Sequence, residues 1–494
     1  MTVLICGAGP TDLVSALVLT ANGIDCRIVD RRAAPRPSSR ALGLQARSME
    51  VLSGLGIAER VERVSYRLSN ATIMRGDRPL VTMAWIPPDS RYPYTYVVPQ
   101  SGLEEILAAR LLEWGVPVER DIELTSVSAD DAQVVATMAD GSTIAADWLI
   151  GADGARSRVR ESVGIGFPHQ VTGETYYLAD ATIDLDVDIG DSAMWLGRNG
   201  PLMFMRLPGD DHSWRVFVDM TDRASRRRLP ELTREKLVSL LSSRGPGTAE
   251  VESLSWTSVF QTRLGLADSY RSDRVVIAGD AGHVFPPFGG QGMNLGIQDA
   301  VNLSWRLAAV VRGEPESLLD EYERERRAVA QATIRDVEAR RRMYALRNPI
   351  ARSARDLLLR LAGGNPRAAR RASLQNSQLL TTYRAVTPGG DRGQAPRPGD
   401  RAPDGPFKGG TLHEHFAPDH WTLLEFETLV TRETVERESG LHTVRIPLSA
   451  DTSLNLRQRY GVGDAPEYVL VRPDGHIATR SSKLAEVRSQ LPTI

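Results

Sequence analysis

Cysteine is nearly missing from this chain: Cys6 and Cys26 are the whole complement of 494 residues. Both lie in apolar, strand-like runs and read as small core residues. A disulfide framework is therefore excluded, and no metal site is expected. A run of 18 or more apolar residues is also missing, which excludes a membrane-spanning helix. The start lacks a basic region leading into an apolar stretch and a small-residue cleavage site, so a cytoplasmic protein is expected. An excess of either charge is missing too. Sixty basic against 62 acidic residues leave no global field to draw in nucleic acid or an anionic membrane surface. No internal repeat is evident. What remains, 41% apolar and 25% charged, is the composition of a soluble globular protein. Its length suggests roughly three domains with ample buried cores.

Three stretches carry the organisation. The first opens with the apolar run Thr2 to Cys6, followed at once by Gly7-Ala8-Gly9-Pro10-Thr11-Asp12 and a helical pattern from Leu13 to Ala21. A second strand, Ile24 to Val29, ends at Asp30. Strand, glycine turn, helix, and strand with an acid about 20 residues on is the dinucleotide-binding unit. Gly7 and Gly9 permit the tight turn and close backbone approach to a pyrophosphate, and Asp30 is placed for a ribose hydroxyl. Asp12 stands where that pattern has its third glycine. A carboxylate in a first helical turn gains ~0.3–1 kcal/mol from the dipole. Beside a pyrophosphate it is repelled instead, by about 1 kcal/mol in water and up to ~4 at reduced dielectric. Weaker cofactor binding than in a glycine version is the expectation.

In the second stretch the apolar strand Ala145 to Ile150 leads into Gly151-Ala152-Asp153-Gly154-Ala155-Arg156-Ser157-Arg158-Val159-Arg160. The third runs from a strand at Val275 to Ala278 through Gly279-Asp280 and Pro286-Pro287-Phe288-Gly289-Gly290-Gln291-Gly292-Met293-Asn294. A long helix follows, from near Met293 to about Arg312. A strand delivering an acid into a glycine-rich turn at a helix start suits an anion or a ribose hydroxyl. Taken singly, each could be an ordinary strand-to-helix connection. His283, just past the acidic turn, reads as structural.

Arg31 to Ser39 is a basic, proline-rich loop. Arg40 stands at its junction with a helix from Ala41 to Leu52, and Gln100 follows a strand from Thr95 to Val98. Tyr176 to Asp219 and Val251 to Phe260 alternate apolar and polar residues, predicting an antiparallel sheet with one covered face. Met203, Met205 and Trp214 on its strands, with Pro287 and Phe288, are the candidate substrate contacts. Leu318 to Leu346 is an Arg/Glu-rich helix whose charges read as a solvated face. Residues 386–406 have linker composition. Beyond them lies a small α/β module with strands at Trp421 to Phe426, Thr443 to Ile446 and Tyr468 to Arg472 and a turn at Pro473-Asp474-Gly475. It has no CxxC, which excludes thiol redox chemistry there.

With the Gly7/Gly9 turn, the Asp153–Arg160 segment and the Gly279–Asn294 segment in this order, the chain resembles the class A FAD-dependent aromatic hydroxylases over its whole length. This is the group of phenol hydroxylases and bacterial polyketide hydroxylases. The resemblance implies an α/β fold: a Rossmann-like FAD-binding domain (1–70, 96–167 and 265–385), an inserted antiparallel-sheet substrate domain (71–95 and 168–264), the linker, and a thioredoxin-like C-terminal domain (407–494). By the family's pattern Gly7, Gly9 and Asp30, with Pro10, Thr11 and Arg31, hold the pyrophosphate and adenosine ribose. Arg40 and Gln100 meet the flavin side, and Asp153 serves both FAD and NADPH. Asp280, after Gly279, binds the ribityl chain, while Pro286, Gly289, Gly290, Gly292, Met293 and Asn294 lie against the isoalloxazine.

The implied activity is an FAD- and NADPH- (or NADH-) dependent monooxygenase. It takes dioxygen and a phenolic or polycyclic aromatic substrate and hydroxylates it through a flavin hydroperoxide. No general base is identified, no nucleic acid or membrane is implied, and a monomer or homodimer is expected. Two other outcomes stay open: Baeyer-Villiger-type oxygen insertion, and a flavin-fold protein that binds a biosynthetic intermediate without turnover.

Overall fold

In a computed structural model, described over residues 1–36, 41–84, 89–221, 229–363, 365–390, 396–427, 432–447 and 451–491, the strand Thr2–Cys6 lies inside a six-stranded sheet. The order is Arg271–Ser272, Val275–Ile277, Trp148–Gly151, Thr2–Cys6, Asp25–Asp30 and Val118–Arg120, and all but the first pair in parallel. Helices Pro10–Ala21, Gln100–Glu113 and Gln291–Val311 share one core with these strands. Covering both faces is what lets Val3, Leu4 and Ile5 read as a continuous apolar run.

Register places the site. Cys6 pairs with Gly151, and Gly151 with Ile277, so the three strands end at one level. Backbone bonds carry the alignment further: Ala152 N donates to Cys6 O at 3.2 Å and Ala278 N to Gly151 O at 3.1 Å. The three glycine and acid turns therefore emerge side by side at the carboxyl edge, where open parallel sheets bind ligands. Their helices are held close by small residues. Gly279, at φ +58°, and Gly296 both back onto Thr11, and a Cβ at Gly296 would overlap Thr11 Oγ1. Gly296→Ala is expected to cost about 1–3 kcal/mol, the usual range for overpacking. A thermal midpoint equal to that of the parent would show that the helix can shift instead.

The inserted sheet has eight strands, in the order His283–Val284, Glu250–Leu266, His169–Asp184, Ser213–Asp219, Gly200–Arg206, Ser192–Gly197, Asn70–Arg75 and Arg78–Ala84. Its pairs are antiparallel except Ser192–Gly197 with Asn70–Arg75. These two strands come from separate passes of the chain, so no hairpin dictates their direction. Alternation sorts the side chains. Trp195, Leu202, Phe204, Trp214, Val216 and Val218 bury one face under Leu237, Leu240 and Leu241 of helix Arg234–Arg244. Tyr176, Leu178, Met203, Phe217 and Phe260 stand on the other. Trp214 is thus misplaced by the sequence reading as a substrate contact: it packs edge-on against Phe204 at 5.8 Å, away from the cleft.

The Arg/Glu-rich helix is Ser317–Tyr344, and only part of it is a solvated face. Leu319, Tyr322, Glu325, Arg326 and Val337 are buried. The C-terminal module is a five-stranded sheet ordered Thr434–Glu438, Leu441–Pro447, Trp421–Glu427, Glu467–Val471, Ile477–Ser481. Its turn reaches two helices: Asn302 Nδ2 of Gln291–Val311 donates to Asp474 Oδ2 and to Glu325 Oε2, both at 2.9 Å, and Arg472 Nη1 donates to Glu325 Oε1 of Ser317–Tyr344 at 2.7 Å. Part of the stretch with linker composition is built in. Asp400, Ala402 and Asp404 are buried, and Ala402 N donates to Gly475 O at 3.0 Å. No helix among the described residues is long and apolar enough to cross a membrane.

Candidate functional site

The three turns open into one cleft of about 1680 Å³. That exceeds the ~300–1,000 Å³ of an ordinary small-molecule pocket, leaving room for a dinucleotide and a second ligand. Of the residues singled out from sequence, Gly7, Gly9, Pro10, Thr11, Asp30, Arg31, Gln100, Asp153, Asp280, Gly289, Gly290, Gly292 and Met293 line it. So do Met203, Met205, Pro287 and Phe288 from the inserted sheet's side and the rigid loop. Gly279, Pro286 and Asn294 stand behind the wall. Gly279 N donates to Asp299 Oδ2 at 3.1 Å, and Pro286 is buried. Asn294 accepts from Gln45 N and donates to Gly43 O and Gly290 O, each at 2.8 Å, fastening the helix start to the strand beside it. Arg40 lies outside the described residues.

Each turn is held by its own acid. Asp30 Oδ2 accepts from Ala8 N at 3.0 Å and Oδ1 from Arg32 N at 2.8 Å, so this carboxylate braces the glycine turn at the cleft wall. Asp153 Oδ2 accepts from Arg158 N at 2.6 Å and Val159 N at 3.3 Å, while its Oδ1 is buried without a partner. Burial raises this carboxyl's pKa. Arg160 from the same segment donates Nη1–H to Ala281 O at 2.8 Å, tying the second turn to the third. Behind the third turn, Asp299 takes Gly279 N, His283 Nε2 at 2.6 Å and Arg326 Nε at 2.6 Å. Burial alone would raise Asp299, yet Arg326 and His283 hold its pKa below the usual carboxylate value. His283 is structural, fixed under the loop and absent from the cleft wall.

Asp12 is buried in the first turn. It is 2% exposed; Oδ2 accepts from Gly9 N at 2.9 Å and Oδ1 is buried with no partner. Burial pushes its pKa well above the usual carboxylate range, and Asp153 and Asp30 push it the same way. Ionisation of this carboxyl is therefore disfavoured by its surroundings. The Gly9 N–H, a donor a pyrophosphate would take, is already held by Asp12. At the opposite end of the site, helix Gln291–Val311 starts from Gly290 at φ +62° with no side-chain cap and no acid in its first turn. Its positive end is left for a ligand's negative charge.

Sequence reading passed over Arg340 and Tyr344, one turn apart on the long charged helix, and Asn376; all three line the cleft. Arg340 Nη1 donates to Asn376 Oδ1 at 2.6 Å, and Tyr344 meets Phe288 edge-on at 6.0 Å. Phe288 in turn faces Tyr176 and Phe217, whose rings stack at 4.7 Å. The alternation of Ser258, Phe260 and Thr262 could have placed that strand on the wall. No periodicity marks Arg340 among its neighbours. The residues present fit a flavin dinucleotide: a glycine turn, an orphaned buried acceptor on Asp153 and an uncapped helix end. Asp12 alone does not.

A family model described as an FAD binding domain matches residues 1–337. A flavin-dependent monooxygenase of Mycobacteroides abscessus is 33% identical, with 97% of this chain and 96% of that protein aligned. Among solved structures, the OxyS anhydrotetracycline hydroxylase from Streptomyces rimosus superposes with a TM-score of 0.77 at 29% identity, over 97% of this chain and 96% of that one. The Diels-Alderase PyrE3 of the pyrroindomycin biosynthetic pathway superposes with a TM-score of 0.78 at 26% identity, over 100% of both chains.

Proposed function

The chain belongs to the FAD-binding family of flavin-dependent aromatic monooxygenases, and on that premise we propose that it hydroxylates a phenolic, polycyclic aromatic substrate of the polyketide type with FAD and NADPH (or NADH). The observation that carries this reading is a single cleft joining the three dinucleotide turns to an aromatic chamber. When bound, FAD supplies the redox and oxygen chemistry. The chain's residues do the rest. The backbone at Gly7 and the orphaned Asp153 Oδ1 hold the dinucleotide. The open end of helix Gln291–Val311 favours negative charge beside Gly290. Phe217, Phe260 and Phe288 keep water from the reacting centre. Met194, Met203 and Met205 give a soft wall that fits flat rings of varied shape. Arg340 and Asn376 offer polar contacts at the same wall.

The test is a visible absorption spectrum of the purified protein, followed by NADPH oxidation against a panel of polyketide phenols. A yellow protein whose NADPH consumption rises with a phenol, giving a product one oxygen heavier, supports the reading. Product NMR separates ring hydroxylation from ring-expanding insertion, which the names of the similar hydroxylases do not favour. Phe288→Leu is expected to lower product formed per NADPH and raise hydrogen peroxide release, because the smaller side chain admits water. Equal coupling in a peroxide assay would remove Phe288 from the water-excluding role.

Two observations favour a second reading, a flavin-fold protein that shapes a reactive intermediate without redox turnover. They are the Gly9 donor taken by Asp12 and the full-length likeness to a Diels-Alderase. A colourless protein that gains no NADPH oxidation when FAD and phenols are added would select it.

A further inference from the structure

Helix Pro349–Gly363 wears large apolar side chains on the outside. Ile350, Leu357, Leu358 and Leu361 are 79%, 58%, 66% and 65% exposed. Among the described residues they are four of the eight large apolar side chains left open, so they form a patch and not ordinary scatter. Their spacing of i, i+7, i+8 and i+11 makes one stripe. Arg355, about 140° around the helix at 100° per residue, is buried and donates Nη2–H to Leu196 O at 3.1 Å. That contact fixes the inner side and turns the stripe outward. The inner side rests on the edge strand Arg78–Ala84 of the inserted sheet, with Gly363 against Val81.

Charge narrows what can cover the stripe. Residues 347–371 hold seven arginines (347, 352, 355, 360, 367, 370 and 371) against the single acid Asp356, a net charge of +6 in a chain whose total is -2. Arg360, Arg367 and Arg371 are exposed and form no ion pair among the described residues. A second copy of the chain would bring a like charge against this face, which opposes self-pairing. The occupant that matches is anionic on its surface and apolar just beneath. A short helix with an apolar stripe, flanked by arginines, is the form that lies in the interface of an anionic bilayer.

We propose that this helix docks the protein on an anionic lipid surface. Ile350, Leu357, Leu358 and Leu361 enter the headgroup and acyl boundary, and Arg360, Arg367 and Arg371 meet lipid phosphates. The whole-chain charge balance, which gave no reason to expect a membrane, averages this patch away. The following helix, Pro366–Asn376, ends at the cleft wall with Asn376. Docking therefore sets that wall close to the layer in which flat apolar molecules dissolve.

The full chain is sedimented with vesicles of equal parts phosphatidylglycerol and phosphatidylcholine, and with phosphatidylcholine alone. Preferred binding to the anionic vesicles is expected, released by raised salt as the surface charge is screened. R360E/R367E is expected to weaken it by at least about tenfold, since each juxtamembrane cation is worth roughly fivefold, and L357S/L358S likewise, since it removes apolar area from the acyl boundary. Circular dichroism and thermal midpoints should match the parent, because all four side chains are exposed. Failure to bind either vesicle, equal binding to both, or unchanged binding by L357S/L358S would overturn the proposal. So would light scattering that shows a parent dimer dispersed by L357S/L358S, which would make the stripe a self-association face.

Discussion

Replacing Asp12 with glycine is expected to tighten FAD binding by about 10–100-fold, the effect of returning one hydrogen bond of ~1.5–3 kcal/mol to a charged ligand. The parent spends the Gly9 N–H on Asp12 Oδ2 and buries Oδ1 with no partner beside Gly7. Asp12→Gly frees the donor and the space together. Asp12→Asn is the control, because it keeps an oxygen for Gly9 N–H and abolishes ionisation. It is expected to bind FAD about as the parent does at acid pH. Titration of the apoprotein by quenching of flavin fluorescence measures all three. Equal dissociation constants for Asp12→Gly and the parent would show that the Gly9 donor is not the limiting contact.

The same residue sets a pH dependence. Its folded pKa is raised, so the stability it contributes is fully present below the unfolded value of about 4 and is lost as pH rises through the folded value. Urea unfolding should therefore show Asp12→Asn gaining on the parent as pH increases. FAD affinity of the parent should fall in the same direction, as the buried carboxyl ionises next to Asp153 and Asp30.

Asp299→Ala is expected to cost about 3–5 kcal/mol, the usual result of stripping one partner from a buried ion pair. Asp299 and Arg326 are both 0% exposed. Without the carboxylate, Arg326 keeps only neutral acceptors, Leu295 O at 3.1 Å and Tyr383 Oη at 2.9 Å. Gly279 N–H and His283 lose their acceptor too, so the Gly279–Ala281 turn loosens and FAD affinity should fall with stability. The sign with pH is opposite to that of Asp12. The depressed Asp299 contributes stability above its unfolded pKa of about 4, and that contribution is lost as pH falls through the folded value. Asp299→Asn should flatten this acid limb. Denaturant midpoints across the acid range decide it; a midpoint for Asp299→Ala within error of the parent would show that Arg326 finds another counter-charge.

What was legible in the sequence follows from the range of the forces involved. The three turns could be read because a parallel strand, a glycine and an acid lie within about 30 residues of one another in each. Their convergence follows once Cys6, Gly151 and Ile277 share a level. Which face of the inserted sheet meets the ligand was not legible. Parity separates Trp214 from Met203 and Met205, but only the seat of helix Arg234–Arg244 says which set is covered. Glu325 and Arg326 look like solvated charges within their own helix. They are buried because Arg472, 147 residues on, and Asp299, 27 residues back, meet them. Asp12 showed as a departure from the glycine pattern, whereas the rise in its pKa comes from burial that no local pattern encodes.

The central claim is that the dinucleotide turns and the aromatic wall share one chamber. It is tested most directly by titrating FAD into the apoprotein and then adding a polycyclic phenol, following the flavin absorption bands throughout. The expected result is a flavin spectrum shifted on binding and shifted again, saturably, by the phenol. Bound flavin bands that ignore a phenol shown independently to bind, or FAD that does not bind at all, would contradict it.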